Sequence, residues 1–139
     1  MNTHHRSAAY RNVGLETGIT SASPHELILM LLDGALLSMA KARSFMATGD
    51  IPQKGQEISH AIEIISNGLH ACLDYEAGGE LATNLGALYD YMVRILVSAN
   101  ISNNPEAVAE AEGLLKEIRS GWEELAKDSA ALSATGEPA

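Results

Sequence analysis

Glu57 and His60 have a spacing that could support metal chemistry. They lie three positions apart in "EISH", and Glu-x-x-His on a bundle helix supplies half of a ferritin-like di-metal site. The other half requires a second Glu-x-x-His and two further carboxylates, and no second copy occurs among the remaining histidines, His4, His5, His25 and His70. The pattern therefore favours a solvated pair of side chains, and we predict no metal and no other cofactor.

The other residues that could do chemistry also lack the partners they would need. Cys72 is the only cysteine, and no recognisable His and acid pattern marks it as a nucleophile. No serine lies in a nucleophile-elbow sequence, and "EAGGE" at 76–80 lacks the spacing and the basic residue of a phosphate loop. We predict that the protein is not an enzyme. The alternative is a bundle enzyme, either di-metal or thiol-based.

The composition favours one all-α domain. The chain has 139 residues, of which 46% are hydrophobic and 4% are aromatic. Ala, Leu, Glu, Ile and Met are prominent, and runs of β-branched residues, which would favour strands, are absent. A net charge of −9 argues against a nucleic-acid partner and against an anionic membrane surface. A single cysteine and the absence of a signal-peptide pattern in "MNTHHRSAAY" favour a cytoplasmic protein.

Capping and turn signals divide the chain into four predicted helices. The first begins at Pro24, after the capping box of Ser23 and Glu26, and ends near Ala47. The later boundaries are predicted at Gly49 with Asp50, at Gly78 with Gly79, and at Asn104 with Pro105. Short connections favour an antiparallel up-down-up-down four-helix bundle. We predict a flexible N-terminal arm over 1–22, the bundle over 23–127 and a disordered tail over 128–139.

The first predicted helix, in "SASPHELILMLLDGALLSMA", is apolar on nearly all sides. One apolar face holds Leu27, Leu31, Ala35, Ala42 and Phe45, and a second holds Leu29, Leu32, Leu36 and Ala47. Such a helix must be covered nearly all round. Asp33, Lys41 and Arg43 interrupt it too often for a membrane span, so we predict no membrane insertion. The second face therefore requires a protein partner.

The third predicted helix repeats this surplus of apolar residues. Its predicted core face holds Leu81, Leu85, Leu88, Met92, Ile95 and Ala99, and a second stripe holds Gly86, Tyr89, Val93 and Val97. Gly34 and Gly86 lie inside helices, where glycine costs about 1 kcal/mol relative to alanine. Each glycine could permit close helix packing or the approach of another chain. The surplus faces could bind a different protein or form a homodimer interface.

Two stretches of the chain resemble the FliS family of bacterial flagellin export chaperones. They are "SASPHELILMLLDGAL" and "YEAGGELATNLGALYDYMVRILVSANISNNPEAVAEAEGLLKEIRSGWEEL", and the resemblance covers roughly residues 8–126. The "LYDYM" block, the following "AN", the acidic fourth helix and its late tryptophan carry it, together with "AAY" near the N-terminus. Two positions depart from the family pattern: Leu32 stands where a tyrosine is usual, and Arg94 stands where a basic pair is usual.

The resemblance implies a cytoplasmic four-helix bundle that binds the disordered C-terminal segment of flagellin. The client folds into helices on the apolar surface of the chaperone, which prevents premature polymerisation. The complex then delivers flagellin to the flagellar type III export apparatus through an export gate component. We expect a monomer or a weak homodimer.

The same resemblance suggests which residues form the client surface. In the family, a tyrosine in the N-terminal arm covers part of that surface, and this role is carried only to Tyr10. From the surplus stripes we predict client contacts at Leu29, Leu32, Leu36, Tyr89, Val93 and Val97.

Overall fold

The computed structural model describes residues 23–134, and these residues form four helices with no strand among them. In chain order they are α1 (Pro24–Thr48), α2 (Ile51–Glu63), α3 (Tyr75–Ser102) and α4 (Pro105–Ala134). The prediction of an all-α chain with four helices is confirmed. The predicted arm, 1–22, and residues 135–139 lie outside the described residues. Helix α4 continues past residue 127, where the bundle was predicted to end.

The start of α1 follows from its sequence. The backbone N–H of Glu26 donates to Ser23 Oγ at 3.2 Å, and the Ser23 N–H donates to Glu26 Oε1 at 2.7 Å. This is the predicted capping box, with Pro24 in the first turn. The hydrogen bonds from the Ser23 backbone and side chain hold the pKa of Glu26 below its usual value.

The turn between α1 and α2 also follows the predicted signals. Gly49 adopts a φ of 77° and donates to the Met46 carbonyl at 3.3 Å, and the Asp50 N–H donates to the Phe45 carbonyl at 2.9 Å. These two bonds make a Schellman motif, which requires a left-handed residue at Gly49. Asp50 then caps α2 by accepting from the Gln53 N–H at 3.2 Å.

The second helical segment ends at Cys72, before the boundary predicted at Gly78 and Gly79, and the predicted break at the glycine pair lies inside the next helix. After α2 the chain continues as a π-helical segment, Ile64–Leu69, and a 3₁₀ turn, His70–Cys72. Leu73 is extended, and Asp74 begins α3 by accepting from the Ala77 N–H at 3.1 Å. Gly79 leaves helical geometry, with φ 52° and ψ −126°, and this kink divides α3 into a short first segment and a longer helix beyond it.

All four helices contribute to one core. Its buried apolar residues are Leu31, Leu32, Ala35, Met39, Ala42, Met46, Ile58, Ala61, Ile64, Ile65, Leu69, Tyr89, Met92, Leu96, Ala99, Val108, Ala111 and Leu115. Leu81, predicted to face the core, is 64% exposed. The core face of α3 differs from the predicted one and includes part of the stripe predicted to be surplus; its buried residues are Ala82, Gly86, Tyr89, Met92, Leu96 and Ala99.

Polar contacts tie the helices together across the core. Ser38 Oγ of α1 and His60 Nδ1 of α2 are 2.8 Å apart, and the buried Lys54 Nζ of α2 donates to the Asn100 carbonyl of α3 at 2.9 Å. Three contacts join α1 to α4: His25 with Trp122, Asp33 with Arg119, and Arg43 with Glu112. Residue numbers rise along α1 as they fall along α4 in this series. None of the described helices has the length and apolar run needed to cross a membrane.

Candidate functional site

Two of the three predicted client residues on α1, Leu29 and Leu36, share a helix face with residues that contact α4. His25, Asp33 and Arg43 all contact α4, and Leu29 and Leu36 follow His25 by four and eleven positions. These spacings place the two leucines on the same helix face as His25. Both are half-buried against the core. The apolar surplus of α1 is thus covered in part by α4 of the same chain.

Two other predicted client residues lie in the core. Leu32 is 0% exposed and Tyr89 is 4% exposed. Burial raises the pKa of the Tyr89 phenol to about 12, and the thiolate of nearby Cys72 adds to the rise. Neither side chain presents an open surface in this structure. Tyr10, the remaining predicted residue outside α1 and α3, lies outside the described residues.

The last two predicted residues belong to an accessible stripe on α3. Val93 is half-buried, Val97 is 44% exposed and Ile101 is 83% exposed. Each step of four residues turns about 40° around a helix, so the three side chains form one continuous ridge that leaves the core gradually. We call Val93, Val97 and Ile101 the α3 ridge. Ile101 was not predicted, although it continues the same four-residue spacing.

Large exposed apolar side chains also occur on the other helices. They are Leu37 on α1, Ile51 on α2 and Leu125 on α4, each about half exposed. Single exposed apolar residues are ordinary on a soluble protein. The α3 ridge differs because its members are neighbours on one helix face. It is therefore the strongest candidate for a protein-binding surface among the described residues.

An apolar cavity of about 160 Å³, partly open to solvent, lies between α1, residues 69–73, α3 and α4. It is lined by Pro24, His25, Ile28, Leu69, Cys72, Leu73, Leu85, Tyr89, Ile118 and Trp122. The His25 and Trp122 rings pack with centroids 4.9 Å apart, and Trp122 Nε1 donates to the His25 carbonyl at 3.1 Å. Because its walls come from distant parts of the chain, helical spacing could not predict it.

His60 and Cys72, which were considered as possible metal-binding or catalytic residues, lie among side chains that pack the helices together. His60 Nδ1 lies 2.8 Å from Ser38 Oγ, and Cys72 lines the cavity. Within 23–134 no cluster of three or more His, Cys, Asp or Glu side chains is placed to hold a metal ion.

Gly86 permits a close contact within the chain. A Cβ at this position would lie 2.8 Å from the Tyr75 hydroxyl and 3.4 Å from Leu73 Cδ1. The tyrosine can approach α3 this closely only because residue 86 lacks a side chain. Of the two interpretations of this glycine, the structure supports close internal packing.

The family model and the individual relatives that match this chain belong to the same family. The family described as "Flagellar protein FliS" matches residues 6–129. The flagellar secretion chaperone FliS of Salmonella typhimurium is 51% identical over 117 residues, which is 84% of this chain and 87% of the relative. Flagellar secretion chaperone FliSB of Pseudomonas aeruginosa is 46% identical over 114 residues, 82% and 90% of the two chains. Flagellar secretion chaperone FliS of Bacillus subtilis is 35% identical over 109 residues, 78% and 80%.

Proposed function

Because the chain belongs to the FliS family, we propose that it is a bacterial export chaperone whose client is the C-terminal segment of flagellin. It holds this segment in the cytoplasm, prevents premature polymerisation and delivers flagellin, through an export gate component, to the flagellar type III export apparatus. The role requires binding and release, with no bond-making step. The observation that carries the proposal is the exposed α3 ridge.

The geometry of the ridge suits an amphipathic helix. Such a helix presents apolar residues at three- and four-residue spacing, and it binds by laying them against a complementary apolar surface. Val97 and Ile101 offer that surface at the spacing of one helical turn. A client that folds on binding loses conformational entropy, so it needs more apolar contact than a rigid partner of the same affinity. Further contacts on other helices would supply it.

The predicted client residues take different roles in this proposal. Val93 and Val97 contact the client directly, and Leu29 and Leu36 contribute only their exposed edges beside α4. Leu32 and Tyr89 support the surface from the core. Tyr10 covers part of the surface when no client is bound.

We also propose that the four helices run up-down-up-down. The α1–α4 contact series, whose residue numbers rise along one helix and fall along the other, supports opposite directions for this pair. Lys54 with Asn100 and His70 with Asp90 form a similar series between the second and third helical segments. The Gly49–Asp50 turn is short enough to reverse the chain between α1 and α2.

Titration calorimetry with a peptide from the C-terminus of flagellin tests the function. Coupled folding and binding should give a favourable enthalpy, an unfavourable entropy and a strongly negative heat-capacity change. Val97→Glu and Ile101→Glu should each weaken binding by at least about tenfold, since about 1.4 kcal/mol of lost apolar contact has that effect. Leu125→Glu is the matched control, because Leu125 is 48% exposed and lies on α4.

Two results would contradict the proposal. The first is no binding by the intact protein, with far-UV circular dichroism showing it folded. The second is an equal loss of affinity in Leu125→Glu, which would remove the ridge from the site. A stable dimer that Val97→Glu dissociates, together with no peptide binding, would make the ridge a self-association surface.

A further inference from the structure

The apolar cavity has the size and lining of a site for one aromatic ring. Its volume is about 160 Å³, close to the roughly 150 Å³ of an enclosed apolar protein cavity that binds benzene, and it is partly open to solvent. Aliphatic side chains from α1, residues 69–73, α3 and α4 form most of its walls, with the rings of His25, Tyr89 and Trp122. No Asp, Glu, Lys or Arg is among the lining residues, so the cavity favours an uncharged group.

One wall of the cavity belongs to a segment with a built-in hinge. Leu73 lines the cavity and is extended between the 3₁₀ turn and α3. The first turn of α3 is capped by Asp74, and it is separated from the rest of the helix by Gly79. The Gly79 backbone, at φ 52° and ψ −126°, lies in a region that only glycine adopts readily. Rotation at Gly79 would move the segment 73–78, and with it the Leu73 wall.

Tyr75 holds this segment in its present position. Its hydroxyl fills the space that a Cβ of residue 86 would occupy, next to the Leu73 side chain. The contact is at the surface, since Tyr75 is about half exposed. Because this is one surface contact at the end of a hinged segment, Tyr75 can move away from Gly86 without disturbing the core.

We propose that the cavity is a binding site for a single uncharged aromatic ring, and that its entry widens when the segment 73–79 swings at Gly79 and Tyr75 leaves Gly86. The ring belongs either to a small free molecule or to an aromatic side chain of a polypeptide. The site shares no lining residue with the α3 ridge, and its existence does not depend on the proposed client.

Binding of fluorobenzene, followed by ¹⁹F NMR on the full chain, tests the site. The wild-type protein should give a saturable ¹⁹F shift, and Leu85→Trp should abolish it by filling the cavity. Leu88→Trp is the matched control, because Leu88 is a half-buried residue on the same helix that does not line the cavity. Ile28→Phe provides a second filling variant, and circular dichroism checks that each variant is folded. No saturable shift in the wild type, or unchanged binding in both filling variants, would overturn the proposal.

The reaction of Cys72 with a thiol reagent tests the hinged segment. Gly86→Ala would displace the Tyr75 hydroxyl, so the rate should rise about three- to tenfold, and fluorobenzene should slow it. Gly113→Ala, where a Cβ meets nothing within 4 Å, should leave the rate unchanged. Equal rates in the wild type and Gly86→Ala would overturn the entry route.

Adding the flagellin peptide distinguishes the two sources of the ring. Displacement of fluorobenzene assigns the ring to a client side chain, whereas simultaneous binding assigns the site to a free molecule. Both results support the site. Failure of the peptide to bind anywhere would contradict the proposed function and leave the fluorobenzene result intact.

Discussion

Glu112 carries a buried carboxylate that depends on one partner. It is 4% exposed, and Arg43 donates to it through both Nε and a terminal nitrogen, the latter at 3.0 Å. These hydrogen bonds raise the pKa of Arg43. The two partners are not equivalent, because the Arg43 side chain is 41% exposed and can turn to water.

Replacing Arg43 should therefore lower the free energy of unfolding more than replacing Glu112. Arg43→Met leaves a buried charge without a partner, and we expect unfolding free energy to fall by about 2–3 kcal/mol. Glu112→Gln leaves an arginine with access to solvent, and the expected loss is about 1 kcal/mol. Urea unfolding of both variants measures the difference, and equal losses would contradict it.

The Asp33–Arg119 pair is the control for this comparison. It joins the same two helices through a 2.5 Å contact, but both side chains are substantially exposed. Exposed pairs contribute little because solvent screens them. Asp33→Asn should change the unfolding free energy by less than about 1 kcal/mol, measured under the same conditions.

Tyr89 makes the stability of the fold depend on pH in the alkaline range. Its ordinary pKa is 10.0, and burial raises the folded-state pKa to about 12. Between these values the unfolded chain binds fewer protons than the folded chain, so stability is complete below pH 10 and falls as pH rises towards 12. The loss should be on the order of 2–3 kcal/mol.

Tyr89→Phe isolates this effect, because the other three tyrosines are present in both proteins. Urea unfolding should give a steeper fall in stability for the wild type than for the variant above about pH 10. Parallel pH profiles would mean that the phenol ionises without penalty in the folded state.

At the level of the helices, two glycines should respond oppositely to alanine. Gly49 ends α1 at a φ of 77°, so Gly49→Ala should destabilise the protein by about 1–2 kcal/mol. Gly113 lies inside α4, where an added Cβ meets nothing within 4 Å. Gly113→Ala should stabilise by about 0.5–1 kcal/mol through helix propensity. Denaturant unfolding measures both, and a shared sign would contradict this account of the two positions.

Helix ends that depend on local hydrogen bonds could be predicted from the sequence. The capping box at Ser23, the stop at Gly49 and the Asn104 cap each involve groups within a few residues. The start of α3 differs from the prediction because Asp74, an equally local cap signal, precedes the glycine pair. The kink at Gly79 indicates that both signals act, one to begin the helix and one to bend it.

Helix faces were harder to predict because they depend on long-range packing. Spacing identified two apolar faces on α1 but could not decide which one faces the core, and Leu32 proved to be buried. On α3 the same spacing grouped Val93 and Val97 with Tyr89, which is buried, so spacing did not separate the accessible part of the stripe from the core. Ile101 continues their ridge beyond the residues covered by the core.

Across the whole molecule, the buried residues form one core that includes side chains from all four helices. Removing any helix would expose apolar surface on the others. Unfolding of a single core in a small protein is usually cooperative. We therefore expect one transition, with no separate unfolding of one helix pair.

Trp122 fluorescence permits a direct test of cooperative unfolding, because Trp122 is the only tryptophan in the chain and its signal reports on one place. It lies at the margin of the core, hydrogen-bonded to the α1 backbone at His25, whereas far-UV circular dichroism averages over every helix. The two probes should give the same melting temperature and the same denaturant midpoint. If Trp122 fluorescence changed well before the helical signal, the α1–α4 end around the cavity would open as a separate unit. Coincident curves mean that cavity, ridge and core share one folding equilibrium, so that a client bound at the ridge would stabilise all of them together.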